Sequence, residues 1–208
     1  MNGSVPGGSA VSAAAQIPLP PSTLAAGYFL LRRIKPGDEG LEQSLSRCPD
    51  VVTWTYYPPN LSADQARERV LRTQARAAEG TAARYVVELD GHPLGTAGIK
   101  NSDDAPEIFY ALLPHGRGQG AATAAAAALS DWALDAGAPY VALWTLVGNA
   151  ASERVARRAG FYCVDVASAD SCSADSSWSD SSSADLGGPD PDSPVQDSGP
   201  RLWTRFRS

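Results

Sequence analysis

Apolar positions begin to cluster at Tyr28-Phe-Leu-Leu-Arg-Arg-Ile34, a β-rich run stopped by Lys35-Pro-Gly-Asp38. The spacing of Leu41 and Leu45 predicts a short helix over 38–47. An aromatic stretch, Val51-Val-Thr-Trp-Thr-Tyr-Tyr-Pro-Pro59, reads as a loop. Ser62 and Gln65 then stand at the spacing of a capping box, opening a helix that runs to about Glu79 and stops at Gly80. Strands are expected over 83–89 and 94–100, joined at Asp90-Gly91, with a third over 107–113 that ends at Pro114. The loop 114–120 leads into an Ala-rich helix over about 121–136 that stops at Gly137. A buried strand follows at 140–146. Next come a helix at 149–159 that begins on Asn149 and a strand at 161–166. A last period-two run, Arg201-Leu-Trp-Thr-Arg-Phe-Arg207, predicts a strand that returns beside it. Successive strands followed by alternating strands and helices predict an α/β (α+β) domain, a mixed sheet with helices on both faces.

Two segments fall outside this pattern. Residues 1–26 are rich in Pro, Gly, Ala and Ser and carry no Lys or Arg, which predicts a disordered tail without the basic region of a secretory signal. Residues 167–200 are dominated by Ser, Asp, Gly and Pro, with Asp at 170, 175, 180, 185 and 190. That period fits neither helix nor strand, and so little apolar surface does not offset the entropy of ordering; a disordered acidic loop is expected inside a single domain over 27–208.

The acidic segment also changes the reading of charge. The chain carries a net charge of −6, but 167–200 holds seven Asp and no cation, leaving the remainder near +1. A near-neutral domain has no general attraction to nucleic acid, so any anion site is local. Three widely spaced cysteines (Cys48, Cys163 and Cys172) form neither a disulfide framework nor a zinc pattern; no metal is expected. Reduced thiols fit a cytoplasmic protein, and no apolar run approaches the ~20 residues needed to span a bilayer.

The chemistry-bearing piece is the strand-to-helix turn Arg117-Gly-Gln-Gly-Ala-Ala122. A helix N-terminus presents unpaired N–H groups to an anion, and Gly118 and Gly120 allow close backbone approach to a pyrophosphate. Arg117 is a candidate phosphate partner. A tight Gly-rich turn without a ligand is an equal reading of these residues alone. The turn lacks the Lys-Ser/Thr ending of a Walker loop, and Thr123 stands where a dinucleotide fingerprint has its third Gly.

This hexapeptide matches Arg/Gln-x-x-Gly-x-Gly/Ala, the acetyl-CoA signature of the GCN5-related N-acetyltransferase (GNAT) superfamily, which the chain resembles over 28–166 and the last strand. A second motif at the right distance supports this: strand 141–146, Asn149-Ala-Ala-Ser152 and Ala159-Gly-Phe161. Glu107-Ile-Phe-Tyr110 is similar to the Glu-Ile-Gly-Tyr of the RimJ/RimL branch, whose members acetylate protein α-amino groups. The resemblance implies a largely antiparallel sheet and a pyrophosphate held by the backbone of Gly118, Gln119, Gly120, Ala121, Ala122 and Thr123. It also implies cofactor contacts from Leu112 and Leu113 and a pantetheine contact from Asn149. Many members place a Tyr acid seven residues after that Asn. Here the position is Ala156, and the RimJ/RimL pattern points instead to Ser152 as the proton donor, beside its plain role in the helix cap.

Acetyl transfer needs a neutral amine. An α-amino group, with a pKa near ~8, is partly neutral at pH 7, whereas a lysine near ~10.4 is almost wholly charged. Glu107, acting through a water, is the candidate base, with solvated strand carboxylate as its plain alternative; Glu88 is a lesser candidate. Backbone N–H groups around Tyr110–Leu112 would polarise the thioester carbonyl. Trp54, Tyr56 and Tyr110 are candidate acceptor-pocket residues. His92 and His115 read as solvated, and Trp132 as core beside Leu129 and Ala136. The expected activity is transfer of acetyl from acetyl-CoA to a primary amine, a peptide N-terminus or a small molecule, by a monomer or homodimer with no nucleic-acid or membrane partner. The competing readings are a non-catalytic CoA-binding sensor and an acidic loop that docks a basic partner.

Overall fold

The computed structural model describes residues 16–164 and 200–207. The acidic segment, apart from Pro200, and residues 1–15 of the expected tail lie outside the described residues.

One eight-stranded sheet has the order β1-β2-β3-β4-β5-β6-β8-β7. Its strands are β1 (Thr23–Ala26), β2 (Phe29–Arg33), β3 (Ala82–Leu89), β4 (His92–Lys100), β5 (Glu107–Leu112), β6 (Tyr140–Thr145), β7 (Tyr162–Val164) and β8 (Arg201–Phe206). Every neighbouring pair is antiparallel except β5 and β6. The helices are α1 (Glu39–Ser46), α2 (Pro49–Trp54), α3 (Ala63–Ala78), α4 (Ala121–Asp135) and α5 (Ala150–Arg158).

Local chemistry explains most of these boundaries. Asp90 and Gly91 both adopt positive φ, 52° and 78°, the conformation a two-residue hairpin turn requires between twisted strands. Ser62 and Gln65 form the reciprocal capping box, with bonds of 3.2 and 2.9 Å, and α3 follows. α4 buries Ala121, Ala122, Ala125, Ala126 and Ala133 around Leu129, a slim face that lies directly on the sheet.

Two cores result, one on each face. The larger joins α4 and α5 to Tyr85, Val87, Ile99, Ile108, Val141, Leu143 and Trp203. The smaller sets Leu41, Leu45, Val51, Tyr57 and Val70 of the α1–α3 layer against Val86 and Ala111. At its centre Glu42, fully buried, accepts from Tyr57 Oη at 2.8 Å and Arg69 Nε at 2.6 Å, and Arg84 Nη1 donates to Tyr57 Oη at 2.9 Å. A buried carboxylate is tolerable here because cations and a hydroxyl replace its water.

Three expectations change. Structure begins before Tyr28: β1 pairs with β2, Ile17 is buried, and Tyr85 Oη donates to Pro20 O at 2.9 Å. The aromatic stretch is partly helical, because Pro49 suits a first helical turn and Val51 finds the smaller core. Trp132 is only partly buried, at the edge of α4, with Nε1 donating to Pro18 O at 3.4 Å.

Burial raises the hydroxyl pKa of both Tyr57 and Tyr110 from 10.0 to about 12. Between those values the folded chain keeps protons that the unfolded chain releases, so stability is intact below pH 10 and falls as pH rises toward 12. By pH 11 the loss expected is about 1–1.5 kcal/mol per tyrosine, read from urea unfolding at pH 8 to 11. Tyr110→Phe should flatten the decline.

Candidate active site

The site grows from a defect in the sheet. β5 and β6 pair at only two positions, Glu107 with Ala142 and Ile108 with Leu143, and then part. Ala142 N donates to Pro106 O at 2.9 Å, so even-numbered β5 residues turn their N–H and C=O groups toward β6. Beyond Ile108 that partner is gone. The N–H groups of Tyr110 and Leu112 therefore face an open wedge, and Leu112 O is taken by Arg117 Nε and Nη2 at 3.2 and 2.9 Å.

At the wide end of the wedge lies the turn into α4. Gly118 and Gly120 have φ of 77° and 87°, and a Cβ at either would meet nothing within 4 Å. The glycines are set by backbone conformation and leave open space over the loop. Ala124 N is the first to find a helical carbonyl, Gly120 O at 2.9 Å. The N–H groups from Gly118 to Thr123 find no loop, cap or side-chain acceptor among the described residues. This nest of donors at a 15-residue helix fits a pyrophosphate.

The far wall is α5. Asn149 Oδ1 accepts from Ser152 N at 3.1 Å and starts the helix. Asn149 and Ser152 both line the cleft, and Tyr110 Oη donates to Ser152 O at 3.5 Å. The third wall is α2, tied to the loop by Asp50, whose carboxylate pairs with Arg117 Nη1 at 2.5 Å. The cleft so enclosed has a volume of about 350 Å³.

Of the candidates, Trp54, Tyr110, Leu112, Arg117, Gly118, Gly120, Ala121, Ala122, Thr123, Asn149 and Ser152 line this cleft. The others stand apart from its lining. Gln119 points back, Nε2 donating to His115 O at 2.7 Å; Leu113 packs on the smaller core; Tyr56 is 98% exposed. Glu107 lies at the narrow end of the wedge, paired with Lys100 Nζ at 2.9 Å, on the sheet face shared by Ala111 and the α1–α3 layer. Glu88 is held by Arg32 at 2.9 Å. All three Arg117 guanidinium nitrogens are engaged within the chain, so it clamps α2 to the loop and presents no free fork to an anion. Ala156 is fully buried in the larger core, so this position of α5 does not face the cleft.

Sequence reasoning missed Arg154 and Arg158. Both line the cleft, both are exposed, and neither forms an ion pair among the described residues, while neighbouring Arg157 pairs with Glu153. Their four-residue spacing on a helix that starts at Asn149 was the available signal. Asp50 was missed for want of any local signal.

The family model for the acetyltransferase (GNAT) domain matches residues 29–162. The chain belongs to the GNAT acetyltransferase family. It is accordingly an acetyl-CoA-dependent acyltransferase, and the mixed, mostly antiparallel sheet with helices on both faces is the GNAT fold. Among solved structures it is similar to RimL, a ribosomal L7/L12 α-N-protein acetyltransferase in complex with coenzyme A (TM-score 0.66, 17% identity, 88% of this chain and 97% of that one). It is also similar to the Salmonella typhimurium acetyltransferase described as modifying the N-terminal serine of L7/L12 (0.64, 16%, 89% and 99%). A third is the microcin C7 self-immunity acetyltransferase MccE with acetyl-CoA and AMP (0.66, 14%, 91% and 98%). No curated protein matches in sequence. At these identities the likenesses are of fold, and the family model carries the membership. No helix among the described residues is long and apolar enough to cross a membrane, and no group of three or more potential metal ligands occurs among them.

Proposed function

We propose that this GNAT enzyme acetylates a primary amine, a protein N-terminal α-amino group or a small-molecule amine, by direct attack on acetyl-CoA in the wedge between β5 and β6. The observation that carries this reading is the row of unpartnered N–H groups running from Tyr110 and Leu112 to the 118–123 loop. That row suits an extended pantetheine arm with a pyrophosphate at one end.

Acetyl-CoA supplies an activated acyl group and a stable thiolate leaving group. The chain supplies placement and charge. Gly118 to Thr123 hold the pyrophosphate, with Arg154 and Arg158 adding positive charge beside it. The Asn149 amide meets the pantetheine arm. The N–H groups of Tyr110 and Leu112 receive the carbonyl oxygen as negative charge develops on it. Ser152, in the same cleft lining, passes its hydroxyl proton to the departing sulfur and takes one back from water. Tyr110 keeps its own proton across the working range because burial raises its pKa to about 12. Trp54 of α2 closes the acceptor side: a Cβ on Gly148 would lie 3.7 Å from its ring.

Glu107 takes the amine proton through a water in this scheme, its charge held in place by Lys100. Glu107→Gln should lower kcat about tenfold at pH 7, with the deficit shrinking as pH passes ~8, where an α-amine is already neutral. A deficit constant from pH 6.5 to 9.5 would remove Glu107 from the proton path. The α-amine reading draws on the pKa argument and on the RimL-type neighbours, which are described as acting on protein N-termini.

A further inference from the structure

On one face of the sheet, exposed aromatic rings surround the buried Ala142 and Thr204 outside both helical cores. Alternation places Tyr140, Ala142 and Trp144 of β6 on the side opposite α4 and α5, because Val141 and Leu143 fill the larger core. Register then fixes the rest. Tyr140 faces Phe206, Ala142 faces Thr204, and Trp144 faces Leu202 across β8, while Tyr162 and Val164 of β7 face Thr204 and Leu202. The α1–α3 layer stops short of this region, since its core takes residues from β3 and β5 but none from β6, β7 or β8. The result is an aromatic shelf in which Trp144, Phe206 and Tyr162 are 47, 56 and 72% exposed and the Tyr140 and Phe206 rings lie 5.8 Å apart. A contiguous apolar surface of this kind marks an interaction site far more often than scattered exposed residues do.

Its position says what it takes. Trp144 lies two residues beyond Ala142, where β6 has just parted from β5, so the shelf begins at the lip of the catalytic wedge. It lies on the same sheet face as Ala111, which packs with Val51 of α2, the helix that also carries Trp54. From Trp144 to Tyr140 the shelf runs roughly 13 Å, the span of about four extended residues. No charged residue occupies any of its β6, β7 or β8 positions. The carboxylate that borders it, Glu107 beside Ala142, is held by Lys100 at 2.9 Å, so a small polycation would find no unpaired carboxylate there. An extended peptide with apolar side chains would bury its own apolar surface along the shelf while its first residue reached the wedge.

From this continuity we infer that the face of β6, β8 and β7 is the docking shelf for the polypeptide acceptor, selecting apolar side chains within about four residues of the amine that is acetylated. The inference rests on the amine-acetylation reading and narrows its acceptor to a polypeptide.

The test uses the full chain saturated with CoA and two ten-residue peptides with N-terminal Ser and a C-terminal fluorophore. One carries Leu and Phe at positions three and five; the other carries Ser and Gln. Fluorescence anisotropy should show the apolar peptide binding at least about tenfold tighter to the wild type. Trp144→Ser combined with Phe206→Ser should erase that preference without changing acetyl-CoA affinity, whereas Tyr56→Ser, off the shelf, should keep it. Equal binding of both peptides by the wild type, or a preference that survives the double substitution, overturns the inference. So does sedimentation showing a two-chain wild type that the double variant splits, which would make the shelf a self-interface. A binding preference without any turnover would strike the transfer reading and leave the shelf intact.

Discussion

Gly120→Glu should abolish acetyl-CoA binding, weakening it at least about 100-fold by isothermal titration, which corresponds to roughly 3 kcal/mol. Two effects add. Gly120 holds φ at 87°, where an L-residue with a side chain is strained by about 1–3 kcal/mol. The new side chain also meets no neighbouring atom that would turn it aside, so its carboxylate stands over the donors meant for pyrophosphate. Gly120→Ala separates the two effects, because it keeps the strain and omits the charge, and should lose about tenfold. If the Glu variant bound as tightly as the wild type, the 118–123 loop would not be the phosphate site.

Ser152→Ala should lower kcat about 100-fold while KM for acetyl-CoA stays within twofold. The split follows from the cap. Asn149 Oδ1 accepts from the Ser152 backbone N–H at 3.1 Å, a bond that the substitution keeps, so α5 still starts where it does. Only the hydroxyl is lost. A residue whose sole role was to support the cap would leave kcat unchanged, and Ser152→Cys, which restores a proton donor, should recover part of the rate.

Motifs whose physics is local were legible in the sequence. The capping box at Ser62 and Gln65, the Asp90-Gly91 turn and the Gly118/Gly120 loop each depend on residues a few positions apart, and each forms where its spacing indicates. The wedge was not legible, because parting of β5 from β6 is a property of two strands, not of either one. Partners distant in sequence were invisible. Nothing in Pro49–Trp54 announces that Asp50 will meet Arg117, and a six-residue helix with two valines and a tryptophan forms because Val51 is buried, against its own weak propensity. β1 was hidden in the same way, since its four residues gain their order from β2. Arg154 and Arg158 differ, for their spacing was readable without coordinates.

The difference bears on chemistry. The nest at 118–123 is made from backbone and needs only the right glycines and a helix, whereas the proposed transfer calls on side chains from β5 and α5 on either side of the wedge. Ser152 and Tyr110 meet there, and Glu107 is offset toward its narrow end. A site divided in this way can bind acetyl-CoA whether or not it transfers the acetyl group.

Release of free CoA thiol therefore tests the account most directly: wild-type protein with acetyl-CoA, followed by a thiol reagent, across a panel of peptide N-termini and small primary amines. Amine-dependent release, lost in Gly120→Glu and reduced in Ser152→Ala, is the predicted result. Tight acetyl-CoA binding with no release across the whole panel would contradict it and make this chain a CoA-binding module that has kept the GNAT fold without its reaction.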